Sequence, residues 1–129
     1  TYAFMAWEGD FKEAKVVEQG YELNVKPAVL AGSAPAGSAF RLDQAHIVLE
    51  TVKVAEDGSG DLILRLYESK KAAGSAWLSW ALEGYEVAYA CNMLEEPQEK
   101  LTVVKVAGEN SVQLNFRAFE VKTVRLKKA

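Results

Sequence analysis

The amino-acid sequence predicts a mainly β protein: an antiparallel β-sandwich with one short helix near the N-terminus. Apolar residues recur with a period of two in several short stretches after residue 39. Turn signals containing glycine, aspartate or asparagine separate these stretches, at a spacing typical of sandwiches rather than of βαβ units. One stretch with helical periodicity precedes them, within residues 1–30.

Length and charge limit the classes of partner. With 129 residues the chain can build one real core, and its formal net charge is −3. The basic residues are dispersed, and the densest run, at 125–128, is typical of a solvated tail. We therefore expect no nucleic-acid partner. No apolar run approaches the roughly 18 residues of a membrane helix, so we expect no membrane partner.

Because the chain begins at Thr1 without a methionine, we expect a fragment of a longer protein.

The chain has one cysteine, Cys91, and one histidine, His46. An internal disulfide is impossible, which fits a reducing compartment, and we expect a cytoplasmic location. Zinc sites use about three or four His, Cys or carboxylate ligands, so we predict no metal and no cofactor in this chain. We interpret His46 as a strand residue and Cys91 as a buried, inert thiol, because no basic neighbour would lower its pKa.

The N-terminal residues predict a strand followed by a helix. Residues 1–7 are aromatic and apolar enough for a buried strand. Asp10 and Glu13 have the spacing of a capping box, which predicts a helix over residues 11–23. The apolar face of this helix would consist of Phe11, Ala14, Val17 and Tyr21.

The small, flexible residues 31–38, AGSAPAGS, predict a linker. The periodicity changes across them from helical to period two. We therefore predict two regions, a strand-helix segment at 1–30 and a β-sandwich domain at 39–129.

The predicted strands follow the period-two stretches. They cover residues 40–56, 62–68, 76–82, 85–94 and 101–107, and continue beyond a turn at 108–110. The segment Asp57-Gly58-Ser59-Gly60 is a hairpin turn signal.

The last predicted strand contains a change of parity. Val112, Leu114 and Phe116 are apolar at even positions, whereas Phe119 and Val121 are apolar at odd ones. A slip of one residue moves every side chain to the other face. We therefore predict a β-bulge or sharp bend near Arg117 and Ala118.

Trp77 and Trp80 are the candidate site residues, as a sugar or interface contact, because aromatic faces stack on pyranose rings. Residues three apart on a strand point to opposite faces. The two indoles therefore cannot form one platform, and we predict that at least one is buried in the core.

Adjacent carboxylates give no catalytic residue. Glycoside hydrolysis uses two carboxylates that flank the scissile bond. The pairs at 56–57 and 95–96 are sequence neighbours, which diverge on a strand and are solvated on a turn. We predict no catalytic residue in this chain.

Four phrases resemble family 38 glycoside hydrolases, the zinc-dependent α-mannosidases, in their last β-domain. The strongest is ETVKVAEDGSGDLILRLYE at 50–68. The others are the opening TYAFMAWEGDF at 1–11, CNMLEE at 91–96 and FRAFEVKTVRL at 116–126. The chain departs from the family at Ala6-Trp7, where the family often has proline and histidine, and at His46, where asparagine is usual.

The resemblance implies that this chain is the non-catalytic C-terminal β portion of an α-mannosidase. In that family the aspartate nucleophile and the zinc ligands lie in a large N-terminal α/β domain, where zinc holds mannose hydroxyls during retaining hydrolysis of terminal α-linked mannose. None of those motifs occurs here. Segment 1–30 would be the end of an upstream β-domain, and the partners would be the upstream domains and, through the parent enzyme, mannose-containing glycans.

Two alternatives stay open at this stage. The domain could be a carbohydrate-binding module, which a cluster of exposed aromatic side chains on one face would favour. It could also be an unrelated interaction sandwich, and a homo-oligomer is compatible with each reading.

Overall fold

The computed structural model describes residues 2–33 and 36–129. The chain divides into two compact units, Thr1–Gly37 and Ser38–Ala129. In the part of the chain that the structure describes, no helix is long and apolar enough to cross a membrane.

The first unit contains helix α1, Val16–Asn24, which starts later than the predicted 11–23. Asp10 explains the difference. Its Oδ1 accepts hydrogen bonds from the N–H groups of Lys12 (2.8 Å) and Glu13 (3.1 Å), and its carbonyl accepts one from Ala14 (3.1 Å). These bonds close a separate turn before the helix. Asp10 therefore caps backbone N–H groups as predicted, but those of this turn and not those of helix α1.

The predicted strand at 1–7 is wrong for the described residues 2–7, which pair with no other strand. Apolar composition alone cannot form a strand, because its N–H and C=O groups need a neighbouring ladder. Tyr2 and Phe4 are almost fully exposed, as are Val29 and Leu30 after the helix.

The predicted linker 31–38 has bends but neither helix nor strand in its described residues. Ala34 and Pro35 lie outside the described residues.

The second unit is a sandwich of two antiparallel sheets. Nine strands are formed by its residues: β1 Phe40–Leu42, β2 Ile47–Val54, β3 Leu62–Glu68, β4 Gly74–Trp80, β5 Val87–Cys91, β6 Pro97–Leu101, β7 Val104–Val106, β8 Glu109–Phe116 and β9 Val121–Lys127. The four-stranded sheet has the order β1-β4-β8-β7 and the five-stranded sheet the order β2-β3-β9-β5-β6. The predicted fold class is confirmed.

The core lies between the inner faces of the two sheets. Apolar residues at alternate positions of the central strands supply it, as period-two patterning requires. From the five-stranded sheet these are Leu64, Leu66, Val124 and Leu126, and from the four-stranded sheet Ala76, Leu78, Val112 and Leu114.

Several predicted strand limits are wrong. The run 40–56 is divided between β1 and β2, and the run 101–107 lies across the end of β6 and all of β7. Most of β6 was not predicted, because this edge strand carries polar, exposed side chains without apolar alternation. The hairpin turn between β2 and β3 is confirmed, and Gly58 (φ +74°) and Gly60 (φ +81°) supply the left-handed backbone that it requires.

The predicted sharp bend near Arg117 and Ala118 is confirmed: it is a turn that leads out of one sheet, rather than a β-bulge within a strand. The chain makes a turn at 117–120 and passes from β8 in one sheet to β9 in the other. Phe119 and Val121, the apolar residues at odd positions, are 60% and 54% exposed. The inward side chains of β9 are Val124 and Leu126.

Candidate functional site

The two candidate tryptophans lie on opposite faces of β4. Trp80 faces the core and is 1% exposed, whereas Trp77 faces outward and is 37% exposed. The Trp80 Nε1–H donates to the carbonyl of Tyr85 at 2.6 Å. The prediction that at least one indole is buried is confirmed, and Trp80 is excluded as a surface contact. Trp77 as a contact stays a prediction.

Trp77 is surrounded by small polar side chains on the outer face of the four-stranded sheet. It is paired with Gln113 across β4 and β8. On one side Ser75 donates to Asn115 (2.7 Å), and on the other the hydroxyls of Ser79 and Ser111 are 2.8 Å apart. The face therefore combines one aromatic ring with hydroxyl and amide groups.

Sequence reasoning missed a charged cluster on the outer face of the five-stranded sheet. Arg125 of β9 lies at its centre, with its side chain 12% exposed. Its guanidinium donates to Asp61 (2.7 Å), Asp57 (2.6 Å) and Ser59 (3.0 Å). The interpretation of 125–128 as a solvated tail is therefore wrong at Arg125. The position of Arg125 between the apolar residues Val124 and Leu126 could have indicated that it belongs to a strand.

The same cluster holds the segment 92–96, which connects β5 and β6. Glu95, expected to be solvated, is 7% exposed. Its carboxylate contacts Lys53 Nζ at 2.8 Å and accepts the N–H of Glu56 at 3.0 Å. Arg125 also donates to the Glu95 carbonyl at 3.3 Å. The segment is thus tied to the β2–β3 hairpin and to β9 by buried polar contacts.

The charges in this cluster stabilise one another. The Lys53 hydrogen bond, followed by the Glu56 N–H, lowers the pKa of Glu95. Burial alone would raise the pKa of Asp61, but the Lys128 N–H and Arg125 outweigh it, so this pKa is lowered too. Asp57 and Asp61 raise the pKa of Arg125. These groups act as structural ions rather than as poised acids or bases.

Glu68 is a second buried carboxylate, 1% exposed, at the end of β3. It accepts the N–H of Lys70 (2.7 Å) and of Phe119 (2.8 Å). Burial alone would raise its pKa, but these backbone donors outweigh burial and lower it. The side chain therefore fixes two turns at one end of the sandwich.

We expect the domain to lose stability in acid. The pKa values of Asp61, Glu68 and Glu95 are lower in the folded protein than the ordinary values of 3.8 for aspartate and 4.5 for glutamate. Their contribution is therefore complete above those ordinary values and disappears as pH falls through the lower folded values. Urea unfolding followed over this range should show a falling free energy of unfolding. In Glu68→Gln the fall should be shallower, and equal slopes would contradict this role for Glu68.

The described residues were compared with the ligand sets of metal sites and with the surroundings of reactive thiols. Among residues 2–33 and 36–129, no group of three or more His, Cys, Asp and Glu side chains is placed to hold a metal ion. Cys91, predicted to be buried and without a basic neighbour, is only half-buried and lies near Arg125. Burial nevertheless outweighs this cation and raises the pKa of the thiol, which reduces its thiolate fraction.

Comparison with known proteins identifies the fold family. Residues 46–124, more than half of the chain, match the family described as "Glycosyl hydrolases family 38 C-terminal beta sandwich domain". The chain is 36% identical to "Alpha-mannosidase 2C1" of Homo sapiens and 35% identical to the Mus musculus protein of the same name. Each match covers 98% of the chain, which spans 12% of the relative's length. The matched residues contain β2 to β8 and the first four residues of β9, and they end one residue before Arg125. This chain is a member of the family 38 C-terminal β-sandwich domains.

Proposed function

We propose that this chain is the non-catalytic C-terminal β-sandwich domain of a larger α-mannosidase. The observation that carries the proposal is the family match over residues 46–124, joined to the similarity to proteins named α-mannosidase over 98% of the chain. The activity of the larger protein would be retaining hydrolysis of terminal α-linked mannose, with zinc bound outside this domain.

The polar groups of the sandwich support a structural role. The buried carboxylates of Asp61, Glu68 and Glu95 accept hydrogen bonds from backbone or cationic partners. A zinc site needs three or four converging ligands, and the described residues offer no such group, so they do not fit zinc. The chemistry would therefore belong to the remainder of the protein.

The partners we propose are the upstream domains and, through them, mannose-containing glycans, in the cytoplasm. Residues 1–30 would be the end of an upstream β-domain. The near-complete exposure of Tyr2, Phe4, Val29 and Leu30 supports this assignment, because packing against an upstream domain would remove their apolar surface from water. Self-association of the chain is a further proposal that the same exposure supports.

A carbohydrate-binding face is the second candidate. Trp77, with serine, asparagine and glutamine neighbours, offers one ring for stacking and several groups for hydrogen bonds to hydroxyls. The face contains a single exposed tryptophan, so we expect weak binding at most.

Activity and metal content test the first candidate. The 129-residue chain and the full-length protein are assayed with an aryl α-mannoside, and zinc is measured by elemental analysis. We expect hydrolysis and bound zinc in the full-length protein and neither in the 129-residue chain, because the ligand set is missing. One zinc tightly held per 129-residue chain, or a full-length protein inactive on α-mannosides, would overturn the proposal.

The same samples test the second candidate. Titration with mannobiose is followed by tryptophan fluorescence, with Trp77→Ala as the control. A saturable change that the substitution abolishes would favour the carbohydrate-binding module.

A further inference from the structure

The turn between β2 and β3 contains Asp57-Gly58, the one place in the sequence where aspartate or asparagine precedes glycine. Every other aspartate and asparagine of the chain is followed by a larger residue. An aspartate before glycine is prone to rearrange, because glycine has no Cβ to keep its amide nitrogen away from the preceding carboxyl group. The sequence therefore points to Asp57 as a site of covalent change.

The rearrangement is an internal condensation followed by hydrolysis. The Gly58 nitrogen attacks Cγ of Asp57, the amide proton and the carboxyl OH leave as water, and a five-membered succinimide forms. Water then opens the ring at either carbonyl. One product is the original aspartate, and the other is isoaspartate, whose main chain runs through Cβ and Cγ and whose α-carboxylate is the side group. Water is the only co-reactant.

In the folded protein the reacting groups of this turn are bound to other partners. Asp57 Oδ1 accepts the N–H of Ser59 at 3.0 Å, and Asp57 Oδ2 accepts from Arg125 Nη2 at 2.6 Å. The Gly58 N–H donates to the Ala55 carbonyl at 3.4 Å. Ring closure therefore requires the carboxylate and the attacking N–H to leave these hydrogen bonds, which hold them away from a reactive arrangement.

The same contacts keep the carboxyl group ionised. Hydrogen bonds from Ser59 and from Arg125 lower the pKa of Asp57. The oxygen that leaves as water needs a proton, so the ionised carboxylate is the less reactive form. Arg125 is itself fixed, because its Nε donates to Asp61 at 2.7 Å and its side chain is only 12% exposed.

The packing around the turn does not oppose the rearrangement. The side chain of Asp57 is 52% exposed, so water reaches it. Apart from the chain neighbours of Gly58, no heavy atom of the described residues lies within 4 Å of the position that a Cβ would occupy there. The restraint therefore comes from the hydrogen bonds of Asp57 and Gly58 rather than from steric cover.

We propose that Asp57 is the isoaspartate-forming site of this domain and that Arg125 holds it in the unreacted form while the domain is folded. The charged cluster then protects the chain from a covalent change, besides stabilising the fold. Opening of the contact between Arg125 and Asp57 starts the rearrangement. The proposal does not depend on the proposed function, since the reaction involves the turn alone.

Isoaspartate would not fit the turn that aspartate forms. It adds one methylene to the main chain between residues 57 and 58 and shortens the side group. The carboxylate therefore leaves the position in which it accepts from Ser59 and Arg125. Because the β2–β3 hairpin loses one of its contacts with β9, we expect the isoaspartate form to unfold at a lower urea concentration than the unmodified chain.

The test measures isoaspartate formation in the 129-residue chain at neutral pH. Electron-transfer mass spectrometry of a proteolytic digest locates and quantifies the product. We expect the folded chain to react about tenfold more slowly than the same chain unfolded in urea, because its reacting groups are held in other contacts. Equal rates in the two states, or isoaspartate that accumulates first at another residue, would overturn the proposal.

Matched variants separate the role of Arg125 from overall stability, under conditions where circular dichroism shows each chain folded. Arg125→Met should accelerate isoaspartate formation about fivefold, because one carboxylate oxygen is then released. Arg41→Met removes an exposed ion-paired arginine and should leave the rate unchanged. Phe116→Ala weakens the core from the other sheet, so its rate should also stay low. Equal acceleration in Arg125→Met and Phe116→Ala would assign protection to overall folding and contradict the proposal.

Arg125→Lys serves if the methionine variant does not fold. Lysine keeps the positive charge, but one ammonium group cannot reproduce the fork of contacts to Asp57, Ser59 and Asp61. We expect a rate between those of the unchanged folded chain and of the chain in urea. A rate equal to that of the unchanged folded chain would show that the guanidinium contacts do not protect Asp57.

Discussion

Replacing Trp80 with alanine should cost roughly 3–5 kcal/mol of unfolding free energy, the usual range for a large aromatic residue removed from a core. Trp80 is 1% exposed and packs among residues of both sheets. Against a total stability of about 5–15 kcal/mol for a domain, this loss would leave the sandwich barely folded.

The indole also organises hydrogen bonds at one end of the sandwich. Its Nε1–H and the Asn110 amide both donate to the Tyr85 carbonyl, and the Tyr85 hydroxyl donates to the Gly60 carbonyl at 3.0 Å. Truncation would therefore leave a cavity and a carbonyl with one donor fewer.

Urea unfolding followed by circular dichroism measures this effect, and Trp77→Ala is the matched control. Trp77 lies three residues away on the same strand but faces outward, so its loss should cost about 1 kcal/mol. Equal costs for the two substitutions would contradict the assignment of Trp80 to the core.

Replacing Arg125 with methionine should cost about 3 kcal/mol, because it leaves a buried carboxylate without its cation. The side chain of Asp61 is 4% exposed and would keep only the N–H of Lys128 among its hydrogen bonds described above. The segment 92–96 would also lose the contact from Arg125 to the Glu95 carbonyl.

Arg41→Met provides the control for this prediction. Arg41 is also ion-paired, to Glu109, but its side chain is 61% exposed, so the loss should be under about 1 kcal/mol. Adding Asp61→Asn to Arg125→Met should recover part of the stability, since the unpaired charge is then absent. If Arg125→Met costs no more than Arg41→Met, the cluster does not stabilise the domain.

The fold class could be read from the sequence because alternation is a local signal. Strand β3 was predicted with its exact limits, and its alternate leucines do face the core. Strand β6 was largely missed because an edge strand with polar side chains carries no alternation. The segment 2–7 was predicted as a strand because apolar composition cannot report whether a partner strand is present.

The arrangement around Arg125 could not be predicted for a different reason. Asp57 and Asp61 precede Arg125 by more than sixty residues, and only the pairing of β3 with β9 brings them together. The neighbours Glu95 and Glu96 have the same side chain, so the sequence alone does not show which of them is buried. Glu95 is buried because the fold of segment 92–96 brings it against Lys53. The family resemblance supplied the functional context that these patterns lack.

The position of β9 affects how the domain is made. Residues 121–127 pair with β3 on one side and β5 on the other, so the last strand in sequence lies in the middle of its sheet. During synthesis the ribosome releases β2, β3, β5 and β6 before the strand that joins them. The two hairpins therefore cannot join into one sheet until residue 127 has left the exit tunnel, which makes formation of this sheet late and dependent on distant contacts. We infer that the nascent domain is exposed to chaperones and to aggregation until synthesis of β9 is complete.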